Sequence, residues 1–249
     1  MIGAIIGDIA GSTFEFHNTD NYNFEIFAEG STFTDDSICT IAIADAICEG
    51  VPYKDKLLEW CRRYPNVGFS CSFRDWFMSN NPQPYGSFGN GSAMRVSPVA
   101  WAFDSLDKVL EEAAKTAQIT HNHPNGIRGA VAVAHAIFAL RITQDISVLE
   151  EIGNKYYPNF LLKEYHAGVF NSTCEYTVPL CFKIMRYSHS FEDAIRRAIS
   201  WGGDSDTIGT IVGSMAEALW EIPIKFGVII TQDMNYVVHK FNNKFRCHG

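Results

Sequence analysis

Two short acidic segments, Thr34-Asp35-Asp36 and Gly203-Asp204-Ser205-Asp206-Thr207, constrain this chain more than any other feature. Each sets carboxylates side by side next to a threonine hydroxyl, and each opens a stretch with helical periodicity. Adjacent carboxylates repel, and a fold tolerates them where a cation or dedicated hydrogen bonds offset the repulsion. Read singly, each segment is a helix start, with a capping side chain and acids in the first turn where the helix dipole favours them. Read together, two all-oxygen clusters far apart in sequence point to one hard-cation site that tertiary folding must close. Mg²⁺ and Mn²⁺ prefer such ligands, no Cys/His cluster offers zinc a place, and the spacing excludes an EF-hand.

The rest of the chain reads as a helical frame. Residues 34–49 run to a stop at Gly50, and residues 105–120 start at Ser105 with apolar residues at helical spacing. Residues 126–142 are alanine-rich and apolar on nearly all sides, which predicts a buried central helix. Ser190-Phe-Glu-Asp193 is a capping-box-like start for a helix over 191–200. Further helices are expected over 206–221, ending before Pro223, and more weakly over 232–246. Gly3, Gly7 and Gly11 share one helix face, where they permit close helix packing. Phe226–Ile230 could make a short strand, but nothing alternates long enough to build a sheet. The expectation is an all-α chain forming one compact domain over residues 1–249.

A hydrophobic content of 47% provides ample core, and a net charge of −8 argues against a broad basic surface for nucleic acid or anionic membrane. A local anion site remains compatible with that charge if a cation is bound nearby. The seven cysteines form no CxxC pair and sit mostly in apolar runs, as reduced buried thiols do. Asp8 interrupts the apolar start and no basic region precedes it, which argues against a signal peptide. No continuous apolar run of about 20 residues is evident. The expected location is the cytoplasm.

Several single residues carry possible chemistry. Asp8 and Glu15, seven apart, share a helix face, and an acid in an apolar helix is costly unless paired or used. A functional reading leads for Glu15 and stays open for Asp8. The segment Asn80–Ser92 holds Pro82, Pro84, Gly86, Gly89 and Gly91, so it is irregular. It flows into Ala93-Met94-Arg95 and would present free backbone N–H groups at a helix start, a usual place for an anion. Arg95 is expected to pair with a buried acid. His121 and His123 either cap and turn the chain or contact a ligand, and His135 reads as a satisfied core histidine. No Ser-His-Asp order, nucleophile elbow or P-loop is present, since no Gly-Lys-Ser/Thr follows Gly86-Ser-Phe-Gly89.

Five segments in order resemble the ADP-ribosylglycohydrolases, the family of dinitrogenase reductase-activating glycohydrolase. They are Gly7-Asp-Ile-Ala-Gly-Ser-Thr-Phe-Glu15, Phe33-Thr-Asp-Asp36, Gly86-Ser-Phe-Gly-Asn-Gly-Ser-Ala-Met-Arg95, Thr120-His-Asn-His-Pro124 and Gly202-Gly-Asp-Ser-Asp-Thr207. The resemblance runs from the first residues to about Trp220. It implies an all-α orthogonal multi-helix bundle with a central cleft for two Mg²⁺ or Mn²⁺ ions. It puts metal ligands on Thr34, Asp35, Asp36, Asp204, Asp206 and Thr207. Glu15 is the implied catalytic glutamate, and Asp36 the carboxylate that both holds metal and stabilises developing positive charge. Substrate contacts fall on Gly86, Ser87, Phe88, Gly89, Asn90 and His121. Phe88 stands where some relatives carry tyrosine, which keeps a stacking role and loses a hydroxyl.

The implied activity is metal-dependent hydrolysis of the glycosidic bond between ADP-ribose and an acceptor. That acceptor is an arginine, a serine, another protein side chain, an O-acyl group or a nucleic-acid base. The implied partner is an ADP-ribosylated protein or other conjugate, with no membrane and no extended nucleic-acid surface. Alternatives are a non-catalytic ADP-ribose-binding module and a metal-dependent hydrolase of another nucleotide sugar.

Overall fold

The computed structural model describes residues 1–227 and 230–245. Its helices are α1 (Ile2–Gly11), α2 (Asp35–Glu49), α3 (Tyr53–Arg63), α4 (Cys71–Met78), α5 (Gly91–Met94), α6 (Ser97–Ala102), α7 (Leu106–Gln118), α8 (Pro124–Thr143), α9 (Val148–Tyr156), α10 (Cys174–Arg186), α11 (Phe191–Trp201), α12 (Ser205–Leu219) and α13 (Gln232–Phe245). No strand forms among the described residues, and an isolated bridge joins Gly89 to Thr173. The fold is all-α.

The capping chemistry legible in the sequence sets the helix starts. The Thr34 hydroxyl accepts from the Asp36 N–H to open α2, and Gly50 closes it at φ 70°, a left-handed conformation glycine adopts freely. Ser105 and Ser190 accept from the backbone N–H groups of Lys108 and Asp193 to open α7 and α11. The Asp193 carboxylate returns a bond to the His189 N–H. α10 runs through Pro179, a residue that hides a helix from sequence inspection.

The glycine stripe of α1 decides where the acidic clusters meet. α1 lies antiparallel to α12, and a Cβ on Gly3 or Gly7 would collide with the carbonyl of Gly213 or Gly209. A Cβ on Gly11 would stand 2.5 Å from the Asp206 Cα. Only helices lacking side chains along this seam approach so closely. The seam carries the C-terminal end of α1, and Glu15 just beyond it, to the N-terminus of α12.

α8 is 20 residues long with a mean hydropathy of 1.3 over its most apolar window. By length and composition it could cross a membrane, contrary to the expectation that no such run exists. Its buried face, including Ala130, Val133, Ile137 and Leu140, packs among α7, α9, α10 and α12, as the central helix of a helical core does.

The strand suggested at Phe226–Ile230 is corrected in its described part. Ile224–Phe226 form a 3₁₀ turn whose Phe226 ring packs edge-on against Phe27 and Phe191. Residues 228–229 and 246–249 lie outside the described residues; the latter include Cys247 and the last position of the helix suggested over 232–246. The other six cysteines are free thiols, all buried except Cys71.

Candidate active site

Folding brings the N-termini of α2 and α12 together at the end of α1, and six carboxylates converge there: Asp8, Glu15, Asp35, Asp36, Asp204 and Asp206. Carboxylate oxygens of Asp8, Asp36 and Asp206 lie within 4.8 Å of one another, and so do those of Glu15, Asp204 and Asp206. Among the described residues, none of the six forms an ion pair with a lysine or arginine. Burial and mutual repulsion therefore push their protonation upward. Asp35 is pushed up to about 8, by burial first and then by the charge of Asp8. Glu15 rises to about 7, by burial and then by Asp204 and Asp8. Burial, followed by neighbouring acids, raises Asp36 and Asp206 well above the usual carboxylate range.

Asp8, left open by its sequence, acts here as an anchor for α2. Its carboxylate accepts from the N–H and hydroxyl of both Thr34 and Ser37. Because the Thr34 hydroxyl gives its proton to Asp8 and accepts from the Asp36 N–H, one lone pair remains on it. Thr207 donates to Asp36 Oδ2 at 3.2 Å, while the buried Asp36 Oδ1 has no hydrogen-bond partner among the described residues. An orphaned buried carboxylate oxygen is costly unless something cationic meets it. All-oxygen donors, uncompensated negative charge and an unsatisfied ligand atom together fit a hard divalent cation.

Apart from Asp8 and Thr34, these groups line one cavity of about 570 Å³ with the glycine-rich segment. Of the residues singled out in the sequence, Glu15, Asp35, Asp36, Asp204, Asp206, Thr207, Gly86, Ser87, Phe88, Gly89, Asn90 and His121 all face it. Thr34 is not part of that lining and is held to Asp8. Asn90 ties the two halves together: its side-chain amide donates to Asp204 Oδ2 at 2.7 Å and to the Thr177 hydroxyl. Phe88 is half-exposed at the rim, its ring 5.4 Å from that of His123, which caps α8 through the Asn125 N–H.

The glycine segment departs from expectation in one respect. Most of its N–H groups already have protein acceptors: Gly86 donates to Asn122, Ser87 to the Thr120 carbonyl, Gly89 to the Ser87 hydroxyl and Asn90 to the Ser172 carbonyl. Phe88, Gly91 and Ser92 keep N–H groups without one among the described residues. The expected pairing of Arg95 with an acid is also corrected. Its guanidinium donates to the Thr116 carbonyl and the Thr120 hydroxyl and lies over the Phe73 ring. The carboxylates gather around the α1–α12 seam.

Nothing in the sequence marks Asn18, a lone asparagine in a loop. Its amide donates to the carbonyls of Phe14 and Gly203, and its oxygen accepts from the Gly203 N–H. It clamps the turn bearing Glu15 onto the Gly202-Gly203 turn that leads into Asp204. Both glycines hold positive φ, at 75° and 84°, where side chains are strained.

The family model for ADP-ribosylglycohydrolase matches residues 1–223. The chain belongs to the ADP-ribosylglycohydrolase family. It is 23% identical to the ADP-ribosyl-[dinitrogen reductase] glycohydrolase of Rhodospirillum rubrum, across 89% of this chain and 84% of that one. It is likewise 23% identical to human ADP-ribosylhydrolase ARH3, across 88% and 84% of the two chains. A solved structure of an ADP-ribosylglycohydrolase-related protein complex superposes with a TM-score of 0.80 at 17% identity, covering 98% and 95%. At that identity the likeness establishes the shared all-α fold.

The raised carboxylate pKa values give a signed pH prediction. The unfolded carboxylates titrate near 4, whereas Glu15 and Asp35 in the metal-free fold titrate at about 7 and 8. The folded state therefore binds more protons between those limits, and the stability contributed by the cluster, full below about pH 4, falls as pH rises through 8. A cation held by the cluster would displace those protons. The Mg²⁺-induced rise in Tm is expected to be larger at pH 8 than at pH 5.5, with proton release in titrations run in two buffers of different ionisation heat. A Tm shift independent of pH, with no proton release, contradicts this electrostatic account.

Proposed function

We propose that this protein hydrolyses the bond between C1″ of the distal ribose of ADP-ribose and an acceptor, in a reaction dependent on Mg²⁺ or Mn²⁺. Family membership supports an ADP-ribosyl hydrolase. The observation that carries the finer reading is the shared cavity, whose lining is divided between the glycine segment Gly86–Asn90 and the carboxylates, with Asn90 bonded to Asp204 where the two meet. A ligand with a diphosphate at one end and a reacting sugar at the other fits that division.

Thr34, Asp35, Asp36, Asp204, Asp206 and Thr207 are the groups that would hold two cations. Bound there, the cations would supply Lewis acidity toward sugar hydroxyls and a lowered pKa for water. Phe88 offers a ring face at the rim, and His121 with the free N–H groups of Phe88, Gly91 and Ser92 offers donors to anionic oxygens. The transition state of glycoside hydrolysis resembles an oxocarbenium ion, which Asp36 and its neighbours stabilise by their charge. Glu15, half-buried beside Asp204 and titrating near 7, suits proton transfer with water or leaving group.

The name of the Rhodospirillum relative gives its substrate as an ADP-ribosylated protein, and we take that class first for this chain. The test is release of free ADP-ribose from arginine-linked, serine-linked and nucleic-acid-linked substrates, with Mg²⁺ and with EDTA. Release from at least one of them, abolished by EDTA, is expected. Turnover unaffected by EDTA, or none on any ADP-ribosyl linkage, contradicts the reading.

A further inference from the structure

Arg95 is fully buried and forms no ion pair among the described residues, an expensive place for a charge unless it serves something. Its Nη2 donates at 2.9 Å to the Thr116 carbonyl and at 2.9 Å to the Thr120 hydroxyl. The Thr120 hydroxyl, itself buried, lies 2.7 Å from Nδ1 of His121. Proton counting along this chain has one satisfactory solution. A guanidinium never accepts, so Thr120 must accept from Arg95 and keeps its own proton to give. If Nδ1 also carried a proton, the hydroxyl would accept twice and its hydrogen would be buried with no acceptor among the described residues, which is costly. Nδ1 therefore accepts, and the imidazole proton sits on Nε2.

The other edge of the ring faces the cavity. A Cβ on Gly91 would stand 3.3 Å from Nε2 and one on Gly89 3.6 Å away, so the two glycines leave that nitrogen uncovered. No protein acceptor meets Nε2 among the described residues. We propose that Arg95, acting through Thr120, fixes His121 as an uncharged imidazole whose Nε2–H is a permanent donor to an anionic ligand oxygen at the glycine segment. Arg95 and Thr120 are thus positioning residues, and the ligand side of this statement rests on the ADP-ribose reading above. Burial, and then the Arg95 charge, hold the His121 pKa well below the ordinary imidazole value, consistent with a neutral ring. The Arg95 charge, which has no ion-pair partner among the described residues, also favours anions beside the glycine segment.

The deciding measurement is the ¹H–¹⁵N spectrum of the imidazole nitrogens in the whole, ligand-free protein at pH 7. It is expected to show His121 protonated at Nε2 and bare at Nδ1. Thr120→Val and Arg95→Met are expected to relax that preference, and Thr120→Ser and Arg95→Lys to restore it. With ADP-ribose as the probe, Thr120→Val is expected to weaken binding roughly tenfold, as loss of one well-placed hydrogen bond does, and to raise KM with little change in kcat. Should Arg95→Met fail to fold, the wild-type spectrum and Thr120→Val still decide. A protonated Nδ1 in the wild type, or a Thr120→Val protein with unchanged spectrum and affinity, overturns the proposal. The expected tautomer together with no ADP-ribose binding in the wild type would support the relay and overturn the ligand assignment.

Discussion

Replacing Asp206 by asparagine is expected to abolish turnover and Mg²⁺ binding together while leaving the metal-free fold at least as stable as the wild type. The two halves of this result have one cause. Asp206 belongs to both groups of converging carboxylates, with Asp8 and Asp36 on one side and Glu15 and Asp204 on the other. Removing its charge takes away a ligand oxygen that both groups share, and a fall in kcat of roughly 10³ or more follows from losing metal-based charge stabilisation. The same removal relieves repulsion, since Asp36, Asp204 and Glu15 all raise the Asp206 pKa. Asparagine keeps the volume and can still accept from the Thr207 N–H. Thermal unfolding in EDTA and in Mg²⁺ separates this from simple misfolding: the variant should match or exceed the wild type in EDTA and gain nothing from Mg²⁺. A variant that keeps its Mg²⁺-induced Tm shift, or its activity, would show that the carboxylate cluster is not the metal site.

Glu15→Gln is expected to lower kcat by roughly 10²–10⁴, the range for loss of a general acid or base, while leaving Mg²⁺ and ADP-ribose affinity within a few-fold. Glu15 differs from the aspartates in where it is held. It lies on the turn after α1, outside the helix starts, and Asn18 clamps that turn to Gly203. Glutamine preserves the shape of the side chain and removes its ability to exchange a proton. Single-turnover rates measured beside equilibrium binding give the split. Near-wild-type kcat in Glu15→Gln would remove Glu15 from the chemistry, and a parallel collapse of metal affinity would make it a ligand instead.

The helices with strong local signals were legible because capping is local chemistry: Thr34, Ser105, Ser190 and Gly50 each do at their helix end what their side chains dictate. The glycine stripe of α1 was legible as a packing seam, although its partner was not, because the matching Gly209 and Gly213 announce nothing about which helix they meet. Thr34-Asp35-Asp36 and Asp204-Ser205-Asp206-Thr207 could be joined from sequence alone because repulsion between neighbouring carboxylates demands a remedy wherever they sit.

Other features were hidden for equally physical reasons. Asp8 could equally have served the reaction or the framework, and only the approach of Thr34 and Ser37 shows it holding α2 in place. Arg95 was expected to meet an acid because charge usually pairs with charge; its actual partners, a carbonyl and a hydroxyl, are ones that no charge pattern reveals. The glycine segment looked like a row of free N–H donors, yet four of them are taken, three by acceptors outside the loop at Thr120, Asn122 and Ser172 and one by Ser87 within it. Asn18, a single polar residue in a turn, carried no signal at all.

In the reading proposed above, the carboxylates and the glycine segment form one ADP-ribose cleft that works with a divalent cation. Isothermal titration of ADP-ribose into the protein, first with Mg²⁺ and then with EDTA, tests it most directly. Saturable one-to-one binding with Mg²⁺, weakened or lost in EDTA, is expected. No binding in either condition would contradict it.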